Sequence, residues 1–231
     1  MEQSLGDFDD LNFDDLNFDD FNLDFDTEKH VNYLDVNAIC LQTTSKKRFT
    51  FDINKQVKQI EKLIDRLPNE NETFYFISGK FGFSSIAIIE YIARKEKIKN
   101  MYVSTFRLGA KQAKIICNLA QKGKIEKAFF ITGKINNMET SRYDYFTQIK
   151  KEFNKYGFMI VPTNNHSKVL LFETEHNYYV CETSSNLNEN PQLEQFALNN
   201  DIKLYNHYLG VFKFFQNNGS SSEEQHGELR S

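Results

Sequence analysis

Read for hydrophobic spacing alone, the chain from residue 53 to residue 162 switches repeatedly between two patterns. Val57, Ile60, Ile64 and Leu67 fall on one helical face, with Asn54 placed to cap the helix and Pro68 to end it near Arg66. Thr73 to Ser78, TFYFIS, has the β-branched and aromatic content of a strand. A helix is then predicted from Ser84 or Ser85 to about Lys97, a strand from Lys99 to Thr105 and a helix over 109–122. A strand from Ile125 to Thr132, a helix from Met138 to Lys155 and a strand from Phe158 to Pro162 follow. Upstream, residues 37–53 predict a short strand pair joined by Thr44-Ser-Lys-Lys. Alternating strands and helices predict an α/β domain with a mixed, mainly parallel sheet flanked by helices. The Tyr-, Phe- and Leu-rich stretch Asp201 to Phe215 predicts a helix or strand that closes the core or an interface.

The most informative stretch is Asn164 to Glu194. His166-Ser-Lys168 leads into an apolar run, a polar turn at Glu175-His-Asn177 and a return through Tyr178-Tyr-Val180. Apolar runs around a short polar turn predict a β-hairpin. Placed on the outgoing strand, His166 and Lys168 sit two apart and share one face. The return strand brings Thr183-Ser-Ser-Asn186 back to the end where His166 begins, and Glu194 follows after a polar loop. That combination suits phosphoryl chemistry. A neutral imidazole can attack phosphorus covalently, and a lysine and a side-chain amide can hold the oxygens on which charge develops.

The stretch resembles the phospholipase D superfamily, whose signature is H-x-K, four residues, an acid and a later Gly/Ser-Ser-x-Asn segment. Here H-x-K is His166-Ser167-Lys168, the four residues are Val169 to Phe172, and the later segment is Ser184-Ser185-Asn186, with Thr183 where Gly is common. The acid position holds Glu173 where the family usually has Asp, and a structural role is expected for it. The resemblance implies a phospholipase D-like α/β sandwich. It also implies His166 as nucleophile, Lys168 and Asn186 on the phosphate, Ser184 supporting that site and Glu194 as the carboxylate that orients a histidine. It covers Asn164 to Glu194 closely and, back to Thr73, only in the order of elements.

Sites in such sheets lie beyond the carboxyl ends of strands. Three predicted exits carry polar or basic groups: Ser78-Gly79-Lys80, Ser104-Thr105-Phe106-Arg107 and Thr132-Gly133-Lys134. Arg107 is the strongest substrate-binding candidate, because a guanidinium can bind phosphate bidentately, and Lys80 is a second. Gly79-Lys-Phe-Gly82 lacks the P-loop spacing. His176 is expected to be exposed in the hairpin turn, and His207 to pack among the aromatics of Tyr205 to Tyr208. No His, Asp and Glu grouping has metal-ligand spacing, so neither metal nor cofactor is expected.

Charge sharpens this picture. Residues 8–26 read FDDLN, FDDLN, FDDFN, LDFD, and residues 1–36 hold 12 acidic residues against one Lys. A five-residue period fits neither a helical stripe nor strict alternation, so residues 1–30 are expected to be a disordered acidic tail. The whole chain has 28 basic and 32 acidic residues. Without residues 1–36 and 220–231, 26 basic and 17 acidic residues remain, an excess of nine positive charges. A basic body suits a polyanion such as nucleic acid, and the tail could bind that basic groove in cis or one on a partner in trans. The domain is expected over 31–216, with 217–231 a disordered C-terminal tail. No run approaches a membrane span, no signal pattern opens the chain, and Cys40, Cys117 and Cys181 lie far apart in apolar contexts. These features predict a cytoplasmic protein with reduced core thiols and no membrane partner.

The superfamily builds one active site from two H-x-K motifs, and this sequence has one. The resemblance therefore implies a homodimer with a composite site at its two-fold axis. The expectation is a metal-independent phosphodiesterase, an endonuclease on DNA or else RNA, working through phosphohistidine. The alternative is a catalytically inactive nucleic-acid-binding or assembly protein on the same fold.

Overall fold

The computed structural model describes residues 53–79, 82–133, 145–188 and 193–219. The acidic tail at 1–30, most of the strand pair at 37–53, Cys40, Lys80, Lys134 and the first residues of the helix expected from Met138 lie outside the described residues.

The elements run α1 (Ile53–Leu63), β1 (Thr73–Ser78), α2 (Ser85–Lys95), β2 (Ile98–Thr105), α3 (Ala110–Gln121), β3 (Ile125–Gly133), α4 (Tyr145–Asn154), β4 (Met159–Thr163), β5 (Val169–Glu173), β6 (Tyr178–Thr183), β7 (Glu194–Asn200) and α5 (Ile202–Gly219). The seven strands form one sheet in the order β1-β7-β6-β5-β2-β3-β4. The expected mixed α/β architecture is what forms. "Mainly parallel" holds only for direction. Five strands point one way and β5 and β7 the other, so β2–β3 and β3–β4 pair in parallel and the other four pairs are antiparallel.

Burial explains the order. Val169 to Phe172 is an unbroken apolar run, and β5 lies in the middle of the sheet with both faces covered. β4 carries Pro162, which cannot donate to a ladder, and it forms an edge. One face packs on α1 to α4 through residues such as Ile60, Ile89, Ile116, Phe153 and Phe172. The other packs on α5 alone, through Phe129, Leu171, Val180, Tyr205 and Phe212. α5 crosses β6, β5 and β3, and on edge strand β1 Tyr75 and Ile77 stay exposed.

Three departures from the sequence reading matter. First, β7 is a full strand over Glu194–Asn200, a stretch to which the sequence reading assigned no element. Its polar end is satisfied inside the fold: Thr73 Oγ1 donates to Asn199 Oδ1 (2.6 Å), and Asn200 Nδ2 donates to Pro68 O (3.1 Å) and Asn177 Oδ1 (2.9 Å). Second, α5 runs on to Gly219, into the segment expected to be a tail. Third, His207, expected to pack among the aromatics of Tyr205 to Tyr208, meets Tyr208 edge-on but stays exposed on α5. Cys117 and Cys181 are free and buried.

Candidate active site

The end of the sheet formed by the exits of β2, β3, β4 and β6 and the starts of β5 and β7 gathers the polar groups. β4 leaves the sheet at Thr163, and His166 to Lys168 form an irregular segment before β5 begins at Val169. The expectation that the H-x-K motif lies within a strand is therefore corrected. The segment is fixed by side-chain bonds. Asn165 Nδ2 donates to Thr105 O (3.2 Å) and Ile131 O (3.3 Å), tying the exits of β2 and β3 together. Its Oδ1 accepts from the Ser167 N–H (3.0 Å), from Ser167 Oγ (2.8 Å) and from Ser104 Oγ (3.1 Å). Asn165 thus works as an Asx turn with long-range anchors.

This knot presents His166 and Lys168 side by side. Lys168 Nζ donates to the His166 carbonyl (2.8 Å) and lies 3.1 Å from His166 Nδ1. Burial lowers the Lys168 pKa from its ordinary value, and the negative charge of Glu194 partly opposes that. The His166 imidazole is exposed and its ring packs against that of Phe106, with centroids 4.9 Å apart and planes tilted by 44°.

Asn186 arrives just beyond β6. Its Oδ1 accepts the backbone N–H groups of Phe106 (3.1 Å) and Arg107 (3.3 Å). Backbone donors on the oxygen fix which end of the amide is which, so Nδ2 is the end left to donate to a substrate. Leu187 and Leu108 form a parallel bridge, which keeps the two exits together. Between them, Ser185 is locked to the start of α2: Ser85 Oγ donates to its carbonyl (2.8 Å) and the Ser85 N–H to its Oγ (3.3 Å).

Glu194 opens β7 and is only 5% exposed. A buried carboxylate must be compensated. Ser184 Oγ donates to it in a short hydrogen bond and accepts the Gln195 N–H (3.1 Å). Glu194 also interacts electrostatically with Lys168. Glu194 thus bonds to Ser184 and lies within electrostatic reach of Lys168.

The remaining candidates divide. Arg107 is exposed at the rim, its guanidinium carbon 5.6 Å from the Phe106 ring centroid. Glu173 sits at the far end of β5, roughly 16 Å along the strand from Lys168, where its Oε2 accepts from Asn100 Nδ2 (2.8 Å). It therefore bonds to a neighbouring strand's amide and lies away from the cluster. His176 is exposed in the hairpin turn, also at the far end. Asn165 and Phe106 are the site residues that sequence reasoning gave no role. Asn164-Asn165 before H-x-K is the one turn signal that pointed to the first of them.

No family model matches the sequence, and no curated protein matches it. Among solved structures, the chain is similar to a polyphosphate kinase from Porphyromonas gingivalis, with 10% identity, a TM-score of 0.49, and coverage of 63% of this chain and 26% of that one. It is similar to phosphatidylserine synthase from Haemophilus influenzae Rd KW20, with 17% identity, a TM-score of 0.42, and coverage of 66% and 39%. It is also similar to the yeast tyrosyl-DNA phosphodiesterase, with 10% identity, a TM-score of 0.35, and coverage of 55% and 31%. The chain spans well under half the length of each of these three proteins.

Proposed function

We propose that the chain is a metal-independent phosphodiesterase that cleaves nucleic acid, DNA before RNA, through a phosphohistidine on His166, and that it works as a homodimer. The observation that carries this reading is the convergence of one imidazole, one ammonium and one outward-facing amide at a single sheet end. His166 supplies the nucleophile, and Lys168 and Asn186 Nδ2 hold the non-bridging oxygens as charge develops.

In the resting arrangement Lys168 donates to Nδ1, so a neutral imidazole keeps its proton on Nε2. Attack needs that lone pair. An entering phosphate diester draws the Lys168 ammonium onto its own oxygens, and Nδ1 can then carry the proton. Nε2 attacks phosphorus, the bond to the leaving oxygen breaks, and that oxygen takes a proton from His166 of the partner subunit. The now neutral second imidazole takes a proton from water, which hydrolyses the phosphohistidine and frees His166. The second reading is a nucleic-acid-binding or assembly protein, favoured by the one site imidazole per chain among the described residues.

The deciding experiment measures cleavage of plasmid DNA, RNA and an aryl phosphodiester in excess EDTA, wild type beside His166→Asn. Cleavage by wild type alone, with acid-labile label on His166, is expected. Binding without turnover would favour the second reading.

A further inference from the structure

His166 is exposed and outside any strand, so its ring needs something to hold it. Two contacts do. Lys168 meets its Nδ1 edge, and the Phe106 ring packs against it at a tilt. The first contact is given up when the ammonium moves onto phosphate. Phe106 then remains.

Phe106 is itself held firmly. Its N–H donates to Asn186 Oδ1 (3.1 Å), and its carbonyl accepts the Gly133 N–H (3.2 Å). Its ring fills the space that a side chain at Gly133 would need. A Cβ there would come within 2.5 Å of Phe106 Cδ2 and 2.8 Å of Phe106 O, distances that real Cβ atoms do not show. Gly133 lies at the exit of β3 with an ordinary negative φ, so close approach, not turn geometry, is what requires glycine. One residue thus touches the imidazole, the phosphate amide and the end of the neighbouring parallel strand.

The geometry points to Phe106 as the positioning residue of the His166 imidazole, with Gly133 as the opening that admits its ring; this rests on the phosphodiesterase reading of His166. Phe106 does not touch the reacting phosphorus. It limits the imidazole to the orientations from which Nε2 reaches the phosphate held by Asn186, and its backbone N–H sets the orientation of that same amide. Rotation of a histidine ring about χ2 is otherwise soft, and misplacement of a reacting group by about 1 Å costs on the order of a hundredfold in rate.

The test uses full-length Phe106→Ala, Phe106→Leu, Phe106→Tyr and Gly133→Ala proteins. Phe106→Ala is expected to lower kcat by about 30- to 100-fold with KM changed by less than about threefold. Phe106→Tyr keeps the ring and is expected to keep kcat. Gly133→Ala places a Cβ against the ring, displaces it, and is expected to reproduce the loss. The second readout needs no turnover. The ring current of Phe106 shifts the His166 imidazole protons, and that shift should vanish in Phe106→Leu and persist in Phe106→Tyr. Full kcat in Phe106→Ala, or His166 resonances unmoved in Phe106→Leu, would overturn the assignment. A wild type inactive on every phosphodiester would instead remove the reading beneath it, while the imidazole resonances still decide whether Phe106 holds the ring.

Discussion

Lys168 Nζ lies 3.1 Å from His166 Nδ1, and the same ammonium donates to the His166 carbonyl at 2.8 Å. In the proposed mechanism, the cation that binds phosphate therefore guards the nucleophile until phosphate arrives. Burial lowers the Lys168 pKa from 10.5. Transition-state stabilisation requires the charged form, so activity should fall as pH rises through this lowered value. The alkaline limb of the kcat–pH profile is expected below pH 10.5, the ordinary lysine value. Lys168→Arg keeps its charge at any such pH, and its limb should move upward even though its maximal rate drops about 10- to 100-fold for want of the right geometry. A limb that stays in place in Lys168→Arg would assign it to another group.

Glu194 acts on the same titration from the other side. Its negative charge raises the Lys168 pKa against the larger effect of burial. Removing that charge in Glu194→Gln should let burial act alone, and the alkaline limb should shift to lower pH. Ser184→Ala leaves the buried Glu194 carboxylate without the hydroxyl that donates to it. The expected cost is about 1–3 kcal/mol of stability, read from urea unfolding. A Glu194→Gln profile that moves to higher pH, or not at all, would show that Glu194 does not support the lysine's charge.

How far the sequence reached follows from the range of the interactions. β1 was legible to the residue, since TFYFIS carries its own strand signal, and the H-x-K and Ser-Ser-Asn segments announced the cluster. β7 was not legible, because Gln195, Asn199 and Asn200 look like loop residues until their partners are known. Those partners, Thr73 and Pro68, are far away in the chain. Local pattern cannot show a polar strand that is satisfied by distant groups. Asn165 and Phe106 were opaque for the same reason. Each takes its role from the ends of β2 and β3, which sequence spacing does not place beside His166.

Glu173, where the resembled motif has Asp, bonds to Asn100 at the end of β5 away from the cluster. Glu173→Asp should therefore leave kcat within about twofold of wild type, because no part of the site depends on its reach. Glu173→Ala removes the acceptor for the Asn100 amide, and about 1 kcal/mol of stability should be lost with kcat unchanged. Thermal unfolding and steady-state rates on one preparation check both. A tenfold fall in kcat for either variant would mean that the acid position acts on the site.

Residues 1–30 hold eleven acidic residues and one Lys, while the rest of the chain is basic on balance. A tail that competes with polyanions for a basic surface should weaken DNA binding in full-length protein. Deleting residues 1–30 is expected to tighten binding at about 50 mM salt, with the difference closing near 0.5 M as screening removes the competition. Fluorescence anisotropy at a series of salt concentrations measures this. Equal affinities at every salt concentration would leave the tail with no role at the nucleic-acid surface.

A composite site makes a quantitative demand on mixed dimers. If one site needs His166 from both subunits, a dimer of one wild-type and one His166→Asn chain has no nucleophile–acid pair and is inactive. Equal mixing with full subunit exchange should then leave about a quarter of the activity of the same total chain as wild type. Independent sites would leave about half. Unfolding and refolding the mixture ensures exchange, and sedimentation velocity confirms that both preparations are dimers. A quarter would tie the chemistry to two facing imidazoles. A half would mean that one chain completes the reaction with groups of its own, and the proton donor would have to be sought among Lys168 and the rim residues.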